Sequence, residues 1–160
     1  GVHKGLSAKL IHQMSPNRKL YLFDTFTGFA ESDIRDEKQN ERNIDSKMFS
    51  DTSLDRVRSL LGDSEKIVFN PGFFPETTKK MKKEPFSLVV LDFDKYEPTL
   101  SALEYFYPLL ETGGFIFVHD YSSSESDFAC SRALDEFLQE KIEKPILIPD
   151  AWGSAVIRKV

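Results

Sequence analysis

At 160 residues, 40% hydrophobic and 29% charged with 14 Phe, the chain can bury one core but is short for two domains. A net charge of −5 argues against a nucleic-acid partner, and the single cysteine, Cys130, excludes an internal disulfide and a Cys-rich zinc site. No apolar run approaches the ~18 residues of a membrane span, and "GVHKGLSAKL" lacks a signal-peptide pattern, so the expectation is one cytoplasmic domain over residues 1–160.

In chain order, Gly1-Val2 reads like the middle of something, so the chain is expected to be truncated at its N-terminus. Gly1-x-x-x-Gly5-x-Ser7 opens a short helix over 6–14, and a strand over 19–24 (KLYLFD) ends in Asp24, with Thr25 next. Residues 30–50 are polar without a period and read as a lid or flexible loop. Asp51-Thr52-Ser53 can cap a helix to residue 61, with Gly62 as its stop, before a strand over 66–70. The basic run Lys79, Lys80, Lys82 and Lys83 reads as a solvated helix face. A third strand, 86–92, runs into Asp92-x-Asp94. Pro98 then suits the first turn of a helix to residue 110, ended by Gly113-Gly114. Tyr96, Tyr105, Phe106 and Tyr107 read as core aromatics. Strand 114–120 ends in His119-Asp120. From 125 to 141 Phe128, Leu134, Phe137, Leu138 and Ile142 share one helical face, with Cys130 a small buried side chain. Strands over 145–148 and 154–159 close the chain, and Trp152 before the last of them can either seal the sheet or reach the site, sealing being the favoured expectation. His3 and His12 carry no signal beyond surface or packing.

Strands alternating with helices imply an open, mostly parallel α/β sheet, its continuously apolar strands covered by helices on both faces. Ligands in such sheets sit beyond the carboxyl ends of the strands. Three apolar runs end in acid there, at Asp24, Asp92 and Asp120. Glycines at 1 and 5 let a backbone approach a ligand closely, and a carboxylate at the next strand end can accept from both hydroxyls of a ribose. Asp92, Asp94, His119 and Asp120 offer oxygen and nitrogen ligands for Mg²⁺ or Mn²⁺; the plainer alternative is that Asp94 and Asp120 cap the helices after them.

Three chemistries compete for this layout. "LFDTFTGF" echoes the nucleophilic aspartate of haloacid-dehalogenase phosphatases, but Phe26 stands where their second carboxylate belongs. A metal-dependent glycosyltransferase would use Asp92-x-Asp94, yet needs no glycine loop paired with Asp24. The third reading draws on more of the chain. "GVHKGLSA", "YLFDTFTGF", "DTSLDRVRSLL", "NPGFFPET", "LDFDKYEPTLSALEYFYPLLETGGFIFVHDY" and "SRALDEFL", in that order, resemble the macrocin O-methyltransferase family, which methylates sugar hydroxyls with S-adenosylmethionine.

The resemblance implies a Rossmann-like class I methyltransferase sheet whose first strand would lie before Gly1. It implies Gly1, Gly5, Ser7, Asp24 and Thr25 as cofactor-binding residues, Asp92, His119 and Asp120 as ligands of a divalent metal, and Asp94 as general base. Where the family carries Asp-Asp-Tyr this chain has His119-Asp120-Tyr121, which removes one negative charge and favours softer ions than Mg²⁺. The partner implied is a small sugar-containing acceptor, with no nucleic acid or membrane and a homo-oligomer as an option. A methyltransferase-like domain that binds a nucleotide without turnover is the non-enzyme alternative.

Overall fold

A computed structural model describes residues 1–29 and 48–160, in two compact units, 1–79 and 80–160. The lid expected over 30–50 therefore lies, for residues 30–47, outside the described residues.

In the first unit α1 (Leu6–Met14) leads into β1 (Leu20–Asp24), and α2 (Leu54–Leu61) into β2 (Ile67–Pro71). The two strands pair in parallel from Leu20↔Ile67 to Asp24↔Pro71. Ala8, Leu22 and Ile67 form the buried centre, with Val2, Leu20, Leu61 and Phe69 packed against it. The expected ends of α2 are found: Ser53 Oγ accepts the Arg56 N–H at 3.3 Å, and Gly62 ends the helix with φ 77°. Gly5 begins α1 in the left-handed region (φ 81°), and a Cβ there would lie 2.8 Å from Val57 Cγ1. Only glycine satisfies both demands at that position.

The second unit holds β3 (Phe86–Leu91), α3 (Tyr96–Phe106), β4 (Leu110–Val118), α4 (Ala129–Phe137), β5 (Ile146–Leu147) and β6 (Ala155–Arg158). Its sheet runs β3-β4-β6-β5, with β3 parallel to β4 and β6 antiparallel to both β4 and β5. Leu103, Ile116, Val118, Leu134 and Ile157 are buried at its centre.

Three boundaries differ from expectation. The helix expected to reach residue 110 ends at Phe106 and tightens into a 3₁₀ turn over Tyr107–Leu109. Pro108 explains this: it has no N–H, and its ring collides with the carbonyl four residues back. Gly113 and Gly114 consequently lie inside β4, where the register with β3 shifts between Phe86 and Leu88. The last long helix begins at Ala129 because Asp127 and Phe128 hold left-handed φ values of 54° and 55°. Leu134 and Leu138 keep to its buried face, whereas Phe128 and Ile142 are exposed.

Strand β3 is apolar but for Ser87, yet only Val89 and Leu91 are buried; Leu88 and Val90 remain 46% and 44% exposed. A run without alternation therefore does not by itself establish cover on both faces. Among the described residues no helix is long and apolar enough to cross a membrane.

Candidate functional site

The first unit places Asp24 at the carboxyl end of β1, beside the loop that opens the chain. Asp24 Oδ2 accepts from the backbone N–H groups of Val2 (2.6 Å) and His3 (2.9 Å), and Oδ1 accepts from Phe26 N–H at 2.7 Å. Burial would raise its pKa, but the three amides outweigh that and hold it below the ordinary carboxylate value. A Cβ at Gly1 would run into Asp24 Oδ2, so the loop packs on the carboxylate through bare backbone. Of the other expected cofactor residues, Gly5 and Ser7 stand at the start of α1, with Ser7 exposed. Thr25 is turned to local use: its hydroxyl donates to Gly28 O at 2.5 Å and accepts from Thr27 N–H.

What braces this loop has no signature along the chain. His3 Nε2 lies 2.6 Å from Asp51 Oδ1, Lys4 pairs with the same carboxylate, and the Thr52 hydroxyl donates to His3 O at 2.6 Å. Those two partners lower Asp51 to about 2. The segment that caps α2 thus also clamps His3 and Lys4, and His3 is one of the residues whose backbone N–H holds Asp24. A contact across 48 residues has no local periodicity or cap pattern to announce it.

The second unit brings the other four residues together. Leu91 and Val118 are register partners at the ends of β3 and β4, and His119 N–H donates to Leu91 O at 2.9 Å. Parallel pairing thereby sets Asp92 and His119-Asp120 side by side. His119 Nδ1 lies 2.7 Å from Asp120 Oδ2 and 3.4 Å from Asp92 Oδ1. One ligand atom each from Asp92, His119 and Asp120 lies within 4.8 Å of the others. Ligand atoms sharing one ion at bonds of about 2.1 Å stand no more than about 4.2 Å apart, so small side-chain rotations suffice and the donor set fits a divalent cation.

Burial would lower the His119 pKa, but the Asp120 hydrogen bond and the charges of Asp92, Asp120 and Asp94 raise it overall. Asp94 is driven the other way for an acid. Burial, then its hydrogen bond to Asp120 and that neighbour's charge, lift it to about 6. Neither Asp94 nor Asp120 is a mere cap: α3 begins after Lys95 without a side-chain cap, and Asp120 is buried against His119.

Trp152, expected to seal the sheet, does not. It is 47% exposed, its ring centroid 6.5 Å from that of His119. The aromatics of α3 are split: Phe106 is core, whereas Tyr96 donates from its hydroxyl to Glu136 at 2.5 Å. Cys130 is 1% exposed, as expected, and burial above all pushes its thiol to about 12.

Comparison with known proteins bears on family and fold. The family model described as Macrocin-O-methyltransferase (TylF) matches residues 2–159. The chain is 28% identical over 131 residues to mycinamicin III 3''-O-methyltransferase of Micromonospora griseorubida, across 76% of this chain and 49% of that protein. It is 29% identical over 145 residues to 8-demethyl-8-(2,3-dimethoxy-alpha-L-rhamnosyl)-tetracenomycin-C 4'-O-methyltransferase of Streptomyces olivaceus, across 85% and 53%. The chain thus spans about half the length of the curated relatives it matches. Among solved structures, the O-methyltransferase NovP superposes with a TM-score of 0.80 at 21% identity, over 100% of this chain and 69% of that one. The fold is therefore the Rossmann-like class I methyltransferase fold.

Proposed function

Because the chain belongs to the macrocin O-methyltransferase family, we propose that it transfers a methyl group from S-adenosylmethionine to a hydroxyl of a sugar or glycosylated natural product. The observation that carries this reading is the meeting of Asp92, Asp94, His119 and Asp120 at the ends of β3 and β4, within a family match over residues 2–159. Both curated relatives are named as O-methyltransferases and one is named for a rhamnosyl compound, which supports a sugar as acceptor class.

Roles divide between the units. In the first, Asp24 is the residue for the donor's ribose. A carboxylate that already accepts from Val2, His3 and Phe26 amides accepts hydroxyls by the same chemistry, sharing or displacing those of the loop. In the second, Asp92, His119 and Asp120 would hold a divalent cation. When bound, such an ion supplies Lewis acidity that lowers the pKa of an acceptor hydroxyl. Asp92 and Asp120 also orient that hydroxyl by accepting from its neighbours. Asp94, lifted to about 6 by burial and by Asp120, is a stronger base than an ordinary aspartate. It takes the hydroxyl proton as the oxygen gains the methyl and the sulfonium leaves as a neutral thioether. Alignment supplies much of the rate, since the sulfonium is already a reactive donor.

The test is incubation with S-adenosylmethionine and methyl α-L-rhamnopyranoside, with Mg²⁺, with Mn²⁺ and with chelator, read by mass spectrometry. A singly methylated glycoside, diminished by chelator, is expected. No product under any condition, from protein that binds S-adenosylhomocysteine by calorimetry, would overturn transfer and leave a binding domain.

A further inference from the structure

We infer that Trp152 is the stacking platform for the acceptor's pyranose ring, a specificity-determining contact beside the acid cluster of the second unit. The inference rests on the sugar O-methyltransferase reading and deepens it.

The turn that carries Trp152 is built to hold one position. Asp150 Oδ1 accepts the N–H groups of Trp152 (3.2 Å) and Ser154 (2.9 Å), closing the turn over 150–154. Gly153 is left-handed at φ 66°, and a Cβ there would lie 2.5 Å from Ser122 Cβ, so backbone rather than side chain meets the segment after Asp120. That contact is bonded as well: Ser122 N–H donates to Gly153 O at 2.9 Å. The turn is thus tied on one side to the peptide two residues beyond Asp120 and on the other to β6.

What this fixed turn presents is a large apolar ring, half open to solvent, with its centroid 6.5 Å from His119 at an interplanar angle of 45°. Indole is the side chain with the largest apolar area to lose, so leaving it exposed on a braced turn needs a reason. His119 in turn lies against Asp120 and Asp92. The site therefore juxtaposes a flat apolar face with carboxylate acceptors along one edge. A pyranose has the complementary pattern: one face of C–H bonds and a rim of hydroxyls. With its C–H face on the indole, it turns rim hydroxyls toward Asp92 and His119. A planar amide or a free phosphate would match only one half of this surface.

Trp152 is the only tryptophan in the chain, so intrinsic fluorescence excited at the indole reports on this contact alone. Titration of the full chain with methyl α-L-rhamnopyranoside should give a saturable change in that emission. Trp152→Ala should raise the KM for the same glycoside about tenfold or more, Trp152→Phe should recover most of that loss, and the S-adenosylhomocysteine affinity and thermal midpoint of both variants should match the parent. A glycoside methylated with unchanged KM by Trp152→Ala overturns the inference while the function stands. So does saturable binding, seen by saturation-transfer NMR, without any change in emission. If the parent chain neither binds nor methylates the glycoside, the inference and the sugar reading fall together.

Discussion

Asp94 and Asp120 hold backbone φ values of 59° and 56°, in the left-handed region that non-glycine residues seldom occupy. Aspartate tolerates it better than most, and such conformations persist where surrounding structure over-determines them. Here the over-determination is visible, since Asp120 is hydrogen-bonded to both His119 and Asp94. The pair has a pH signature. As a base Asp94 must be ionised, so the rate of methyl transfer in metal-free or weakly metallated protein should rise with pH through about 6, and Asp94→Asn should abolish that limb. The stability effect has the opposite direction. The folded pKa lies above the usual 3.8, so the native state keeps this proton longer than the unfolded chain, and the group's contribution falls as pH rises from about 4 to about 6. Urea midpoints across that range should fall less steeply in Asp94→Asn. For Asp24, replacement by Ala should weaken S-adenosylhomocysteine binding by about 1–3 kcal/mol in calorimetry. An unchanged affinity in a folded variant would remove Asp24 from the donor site.

At the level of elements, α2 and the loop it clamps separate two kinds of residue. Ser53 caps α2 with one hydrogen bond, and Ser53→Ala should cost about 1 kcal/mol of unfolding free energy. Gly5→Ala should cost more, about 1–3 kcal/mol, because it combines a left-handed backbone with a 2.8 Å approach to Val57. Equal chemical-denaturation midpoints for the two variants would contradict that ranking. Ser53 and Gly62 were legible in the sequence because caps are local. The strands ending at Asp24, Asp92 and His119-Asp120 were legible because apolar runs stop there abruptly. The start of α4 was not, since nothing in "SESDFACS" states that Asp127 and Phe128 turn left-handed. Trp152 was misjudged for a related reason: hydrophobicity predicts burial on average, while its exposure follows from a turn closed by Asp150 and Gly153. The His3–Asp51 pair joins residues far apart in sequence, and only the folded chain brings them within reach.

For the molecule as a whole, apolar surface and charge pull in different directions. Leu88, Val90 and Phe115 stand exposed on one face of the four-stranded sheet, in neighbouring register positions, on a chain of net charge −5. Charge repulsion opposes self-association through such a face, and salt screens it. Light scattering should therefore rise with salt, and Leu88→Ser with Val90→Ser should suppress both that rise and the binding of anilinonaphthalene sulfonate. Because neither residue is buried, the double variant should lose no more than about 1 kcal/mol of stability. Unaltered dye binding would place the apolar surface elsewhere. The single cysteine adds an internal clock. At 1% exposure, with its thiol near 12, Cys130 is almost unreactive in the native state. Its alkylation must wait for the second unit to open, so the labelling half-life counts those openings and is blind to the first unit, which has no sulfhydryl. A ligand gripping Asp92 and Asp120 in the closed unit should lengthen that half-life by one plus the ratio of free ligand concentration to Kd, a factor that keeps growing after the site is nearly full.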